Sequence, residues 1–141
     1  MKKVAVVYWS MTGNTEAMAN AVCDGAKEAG AEVSLFSASE FDAGMVGDYD
    51  AIGFGCPAMG DETLEEDEFE PMFSACEEKL AGKSVVLFGS YDWGVGDWME
   101  SWKERTSGDG AVLAAEPVIA NLEPVDEAIA ACEALGKALA G

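Results

Sequence analysis

The hydrophobic positions of this chain follow two rhythms that alternate along it. Residues 4–9, 51–56 and 84–89 are short and nearly continuously apolar, as strands buried on both faces are. Between them, apolar residues recur at helical spacing. Met18, Val22, Ala26 and Ala29 form a stripe over 15–29, with Asn14 placed to cap it and Gly30 to close it. Phe69, Met72, Phe73, Cys76 and Leu80 mark a second helix, which accepts Pro71 only in its first turn. Residues 98–105 read as a third helix extending toward Gly108. Val125, Ile129, Cys132, Leu135 and Leu139 mark a fourth that begins near Pro124. Residues 32–36 alternate Val33 and Leu35 with polar neighbours, which suits an edge strand. Residues 112–119 form a last strand, in which Pro117 favours an edge or a bulge.

Five strands alternating with helices predict an α/β fold: a doubly wound five-stranded parallel sheet, with all of 1–141 in one domain. No internal repeat, linker or low-complexity tract interrupts the pattern. In such sheets ligands sit beyond the carboxyl ends of the strands, so the loops after strands one, three and four are the places to look.

Composition narrows the chemistry. The 141 residues hold 8 Lys+Arg against 27 Asp+Glu, a formal net charge of −19, and no histidine. A chain this acidic does not hold a nucleic-acid backbone or an anionic membrane by charge. Without histidine there is no Ser-His-Asp triad and no His-ligated zinc or haem. The cysteines, Cys23, Cys56, Cys76 and Cys132, are too scattered for a CxxC or zinc-knuckle pair. They read as reduced thiols of a cytoplasmic protein. The start Met1-Lys2-Lys3 superficially resembles a signal peptide, but the apolar run after it is too short for one. Nothing approaches the roughly 20 apolar residues of a membrane span.

The first loop, Ser10, Met11, Thr12, Gly13, Asn14 and Thr15, joins a buried strand to a helix start. Free backbone N–H groups, a helix dipole and three hydroxyls make a phosphate cradle there, although an ordinary capped helix start has the same parts. Lacking lysine, it is not a GxxxxGK[ST] loop, and a neutral cradle suits one terminal phosphate better than a triphosphate. The second loop is Cys56, Pro57, Ala58, Met59, Gly60, Asp61 and Glu62. Met59 offers a polarisable apolar face, Gly60 permits a peptide flip, and Glu62 is an acceptor; a tight turn before an acidic helix is the plainer alternative. The third loop runs from Gly89 through Ser90, Tyr91, Asp92, Trp93 and Gly94. Trp93, flanked by glycines, reads as a ligand platform rather than core. Trp98 and Trp102, four apart on a helix, read as core, and Trp9 fits either role. Together the loops describe a site for a flat aromatic cofactor with a phosphate tail, not one for acid–base work.

With these motifs the sequence resembles flavodoxin, specifically the short-chain type from anaerobic bacteria. The resemblance rests on residues 8–15, 58–62 and 89–94 and extends over essentially the whole chain. It implies strand order 2-1-3-4-5 and a non-covalent FMN. By that resemblance Ser10, Thr12, Gly13, Asn14 and Thr15 hold the phosphate, Trp93 stacks on one face of the ring, and Met59 covers the other. Glu62 accepts from flavin N3–H, and the Gly60 carbonyl swings toward N5–H on reduction. Trp9 shields the ribityl-phosphate end, while Ala58 and Tyr91 line the ring. The implied site is completed by Met11, Pro57, Asp61, Ser90, Asp92 and Gly94, with no metal. Met11 replaces a glycine common in this subfamily, and Asp92 stands where near relatives have glycine. A charge at Asp92 is expected to lower the second reduction potential.

The function implied is a low-potential one-electron carrier, shuttling FMN between semiquinone and hydroquinone, with no substrate turnover of its own. The run 61–70 holds seven carboxylates in ten residues. It reads equally as a solvated helix start or as a docking face for basic redox proteins. The expected state is a cytoplasmic monomer. An alternative is a small FMN-dependent NAD(P)H or quinone reductase, which needs a second nucleotide site; no Arg/Lys cluster supplies one. A phospho-acceptor receiver is excluded because Cys56-Pro57 stands where that chemistry needs an aspartate.

Overall fold

The structure is a computed structural model and describes residues 2–60, 62–92 and 94–141. Strands β1 (Lys3–Tyr8), β2 (Glu32–Ser37), β3 (Ala51–Gly55) and β4 (Ser84–Tyr91) are joined through α1 (Asn14–Glu28) and α2 (Phe69–Cys76). Helix α3 (Asp97–Gly108) leads to β5 (Val112–Leu113) and β6 (Val118–Asn121), and α4 (Asp126–Ala140) ends the chain. All pairings are parallel, in the order β2-β1-β3-β4-β5, and β6 also pairs with β4. The last strand is thus two pieces on one edge. Pro117 lies in the break, where its missing N–H withdraws no bond from the ladder.

Side chains of a strand alternate between faces, and two cores result. Ala5, Val7, Ile52 and Phe54 face α2 and α3, where they meet Phe69, Phe73, Trp98 and Trp102. Val4, Val6, Val86 and Phe88 face α1 and α4, with Met18, Val22, Cys132 and Leu139. The two tryptophans expected in the core are there, each 2% exposed. Helices α1 and α4 approach unusually closely. A Cβ on Gly25 would strike the Glu133 carbonyl oxygen, and one on Gly136 the Val22 carbonyl oxygen.

Pro71 falls in the first turn of α2, as its missing donor requires. That helix ends at Cys76 and tightens into a 3₁₀ turn over Glu77–Lys79. Two further 3₁₀ turns, Ala38–Glu40 and Ala43–Asp48, carry no apolar period and were not legible in the sequence. The order of the strands reverses between β1 and β3, and the crevice above their carboxyl ends lies among the three loops singled out above.

Candidate functional site

The loop after β1 turns sharply at Gly13, whose φ of 95° makes it the cap of α1. Asn14 is the first helical residue and makes no capping bond, which corrects the sequence expectation. Ser10 takes that role instead: its Oγ accepts from the N–H groups of Gly13 (3.1 Å) and Glu16 (3.3 Å). Its own hydroxyl proton stays available to a ligand. Among the described residues, no hydrogen bond engages the main-chain N–H of Met11, Thr12, Asn14 or Thr15. Such orphan donors at a helix start form an anion cradle. The hydroxyls of Thr15 and Ser90, 1% and 5% exposed, lie 2.8 Å apart. Whichever accepts keeps a proton to donate.

The loop after β3 is fixed from below. Cys56 N–H donates to Phe88 O (3.1 Å), and Cys56 O accepts from Trp98 Nε1 (3.2 Å). Burial pushes the Cys56 thiol far up, so it is a packed group and not a reactive one, as expected. Ala58 N–H reaches Ser90 O (3.0 Å), which ties this loop to the next. Met59 and Thr63 exchange both backbone bonds (2.8 and 2.9 Å), closing the base of a loop that contains Gly60, at φ 52°, and Glu62, at φ 57°. Asp61 lies outside the described residues.

Two carboxylates of the acidic run turn inward. Glu65, 5% exposed, accepts from the N–H groups of Asp67, Glu68 and Phe69, each at 2.8 Å, and so holds the start of α2. Glu62 Oε1 accepts from Val95 (3.3 Å), Gly96 (3.0 Å) and Asp97 (3.0 Å) at the start of α3. Negative charge suits both positions. The run is therefore not a uniformly solvated helix start, and α2 begins only at Phe69.

Strand β4 runs on to Tyr91, whose ring lies 5.5 Å from that of Trp98. Trp93, the expected ring platform, lies outside the described residues. Ser10, Met11, Thr12, Asn14, Thr15, Pro57, Ala58, Met59, Ser90, Tyr91 and Asp92 line one cleft. Leu122, which sequence reasoning missed, also lines it. Its only sequence signal is a position just after the last strand, the kind of loop that carries function in such sheets. Trp9 and Gly13 instead line a neighbouring polar hollow, where Trp9 Nε1 donates to Glu68 Oε1 (3.1 Å). Gly60, Glu62 and Gly94 are not among the residues that line this cleft.

A cradle of amides thus lies at the β1–β3 reversal, with apolar surface from the next two loops beside it. The flavodoxin family model matches residues 6–135. The chain belongs to the flavodoxin family. It is 45% identical over 135 residues to a flavodoxin of Clostridium beijerinckii, covering 96% of this chain and 97% of that protein. It is 45% identical over 137 residues to a flavodoxin of Megasphaera elsdenii, covering 97% and 98%. The solution structure of two-electron reduced M. elsdenii flavodoxin superposes with a TM-score of 0.90, at 47% identity and 97% and 98% coverage.

Flavodoxins are FMN-binding electron carriers rather than enzymes, and the reductase alternative is not favoured. The residues present fit FMN. The unpaired amides and the hydroxyls of Ser10 and Thr12 match a phosphate, while Met59, Tyr91 and Ala58 offer apolar surface to a ring. No lysine or arginine lies in residues 9–13, 37–50, 56–68, 92–96 or 122–125, the segments that follow the strands. Among the described residues no helix is long and apolar enough to cross a membrane.

Proposed function

We propose that this flavodoxin works as a low-potential shuttle, delivering single electrons to redox proteins with basic surfaces, as a cytoplasmic monomer. FMN, when bound, supplies the chemistry by taking up and returning electrons one at a time. The loops of the chain set the terms on which it does so. Ser10, Thr12, Gly13, Asn14 and Thr15 bind the phosphate with neutral donors. Met59 and Trp93 would hold the ring and exclude water from it, with Ala58, Pro57 and Tyr91 supplying further apolar contact. Glu62, with Oε1 already held by three amides, keeps Oε2 for flavin N3–H. The Gly60 carbonyl would be the acceptor for a proton on N5, the left-handed φ of 52° being open to a glycine.

The observation that carries this reading is the absence of any lysine or arginine from the loops around the cleft. A negative charge arriving there finds no cation to offset it and acidic neighbours that oppose it, so the last electron is costly to add. The same charges favour approach by a cationic partner, and a net charge of −19 discourages self-association. Four buried free thiols suit a reducing compartment.

The test is to purify the protein, release and identify its flavin, and titrate it reductively. A protein that refuses FMN overturns the reading. Electron delivery to a basic partner should slow by about ten-fold between 0.05 and 0.5 M salt. A rate indifferent to salt removes the docking role.

A further inference from the structure

Leu122 is placed as a bulky residue rarely is. Its φ is 59°, in the left-handed region that favours glycine and asparagine, and its side chain stands 53% exposed. The conformation is held from one side. Leu122 N–H donates to the Tyr91 carbonyl at 2.7 Å, and the Asn121 side-chain amide donates to the same oxygen at 3.2 Å. Strain of this kind persists only where the surroundings enforce it, and it collects at ligand sites. The place enforced is the cleft, which Leu122 lines together with Tyr91, Asp92 and Met59.

We propose that Leu122 is a further cofactor-contacting residue, an apolar wall supplied by the loop between β6 and α4 that raises affinity for the flavin ring. The proposal rests on the FMN reading above. A half-exposed isobutyl group beside two aromatic or thioether walls loses water when a planar ring enters, and that burial favours the bound state. The Tyr91 carbonyl couples the position of this wall to the strand that carries Ser90 and Tyr91. The left-handed turn brings the side chain to the cleft, where an extended residue would carry it elsewhere.

The test titrates FMN onto the apoproteins of the parent, Leu122→Gly, Leu122→Asn and Leu122→Met, and records their melting temperatures. Glycine and asparagine both accept a φ of 59°, so their apoproteins should melt at or above the parent temperature. They should nevertheless bind FMN about ten-fold more weakly, and Leu122→Met should restore most of the affinity. Affinities within two-fold of the parent for both Gly and Asn overturn the proposal. So does a loss that Met fails to rescue, or one that follows a fall in melting temperature in both variants. If the parent itself does not bind FMN, the family-based reading fails instead, and with it the premise of this one.

Discussion

The carboxyl carbon of Glu62 lies 2.7 Å from the place where a Cβ on Gly94 would stand. The two residues come from different loops, one after β3 and one after β4, and the missing side chain lets them meet. From that position the carboxylate reaches the amides of Val95, Gly96 and Asp97. The loops after β3 and β4 are thereby joined through one side chain.

Glu62→Ala should remove this junction and lower apoprotein stability by about 1–2 kcal/mol, the scale of a lost helix cap. Glu62→Gln, which keeps an acceptor, should lose less. Gly94→Ala sets a methyl against the carboxylate at a φ of 95° and should match the Glu62→Ala loss with the charge still present. Thermal melts read all three. A Gly94→Ala protein as stable as the parent would show that the contact contributes nothing.

Among the described residues, no atom beyond its chain neighbours lies within 4 Å of a Cβ built on Gly60, so a substitution there acts through the backbone. At φ 52° an alanine resists both the present conformation and rotation of the following peptide. Gly60→Ala should narrow the gap between the two one-electron potentials of the bound flavin by about 50 mV, the equivalent of roughly 1 kcal/mol. An unaltered gap in a redox titration would count against the peptide rotation.

Asp92 lines the cleft and adds a carboxylate to it. Removing that charge with Asp92→Gly should raise the lower potential by about a few tens of millivolts. Spectroelectrochemistry of parent and variant decides, and an unchanged or lower value rejects the role.

The closeness of α1 and α4 makes a prediction away from the site. Gly136→Ala drives a methyl into the Val22 carbonyl and should cost about 1–3 kcal/mol of stability. Urea unfolding should register the loss, while the potentials of bound flavin stay those of the parent.

Asp109 brings in pH. Its Oδ2 is buried with no donor of its own, and Glu77 stands opposite. Burial, and then the neighbouring Glu77 carboxylate, push Asp109 up to about 6 from an ordinary 3.8. Glu77 itself is held low: burial opposes this, but Arg105 (2.6 and 2.9 Å) and then Asp109 bond to it. Folding therefore favours the protonated Asp109, a contribution present in full below pH 4 and lost as the pH rises through 6. Asp109→Asn keeps a donor and drops the charge. It should equal the parent near pH 4 and exceed it by about 1 kcal/mol at pH 7.5, once screening is allowed for. Urea melts at both values would sink the idea if the two proteins stay parallel.

Most of the fold was legible in the sequence because each core face has its own period. The helix stripe of Met18, Val22 and Ala26 and the continuous run 4–9 leave little choice of element. The break at Pro117 was readable as a bulge but not as two separate strands, since that depends on which carbonyls of β4 are free. The first loop was legible as a helix start, yet the cap passed from Asn14 to Ser10. A turn through left-handed Gly13 brings a residue four positions earlier over the helix start. Leu122 was invisible because nothing in a leucine announces a positive φ. Glu62 and Glu65 looked like members of a charge run, and only tertiary structure turns them onto helix starts.

That inward turn changes how the acidic surface should be counted. Glu62 and Glu65 are taken by backbone amides, and Glu70 is clamped by Arg105 at 2.6 and 2.8 Å. The exposed carboxylates of the described run are three in succession: Glu66, Asp67 and Glu68. A partner arriving at this edge meets a short ridge, not a diffuse cloud. A ridge has a direction, so under the proposed docking role it would constrain the rotation of a cationic groove as well as its approach. Trp9, bonded to the last carboxylate of that ridge, then marks the point at which an outward-facing contact touches the strand leading into the cofactor.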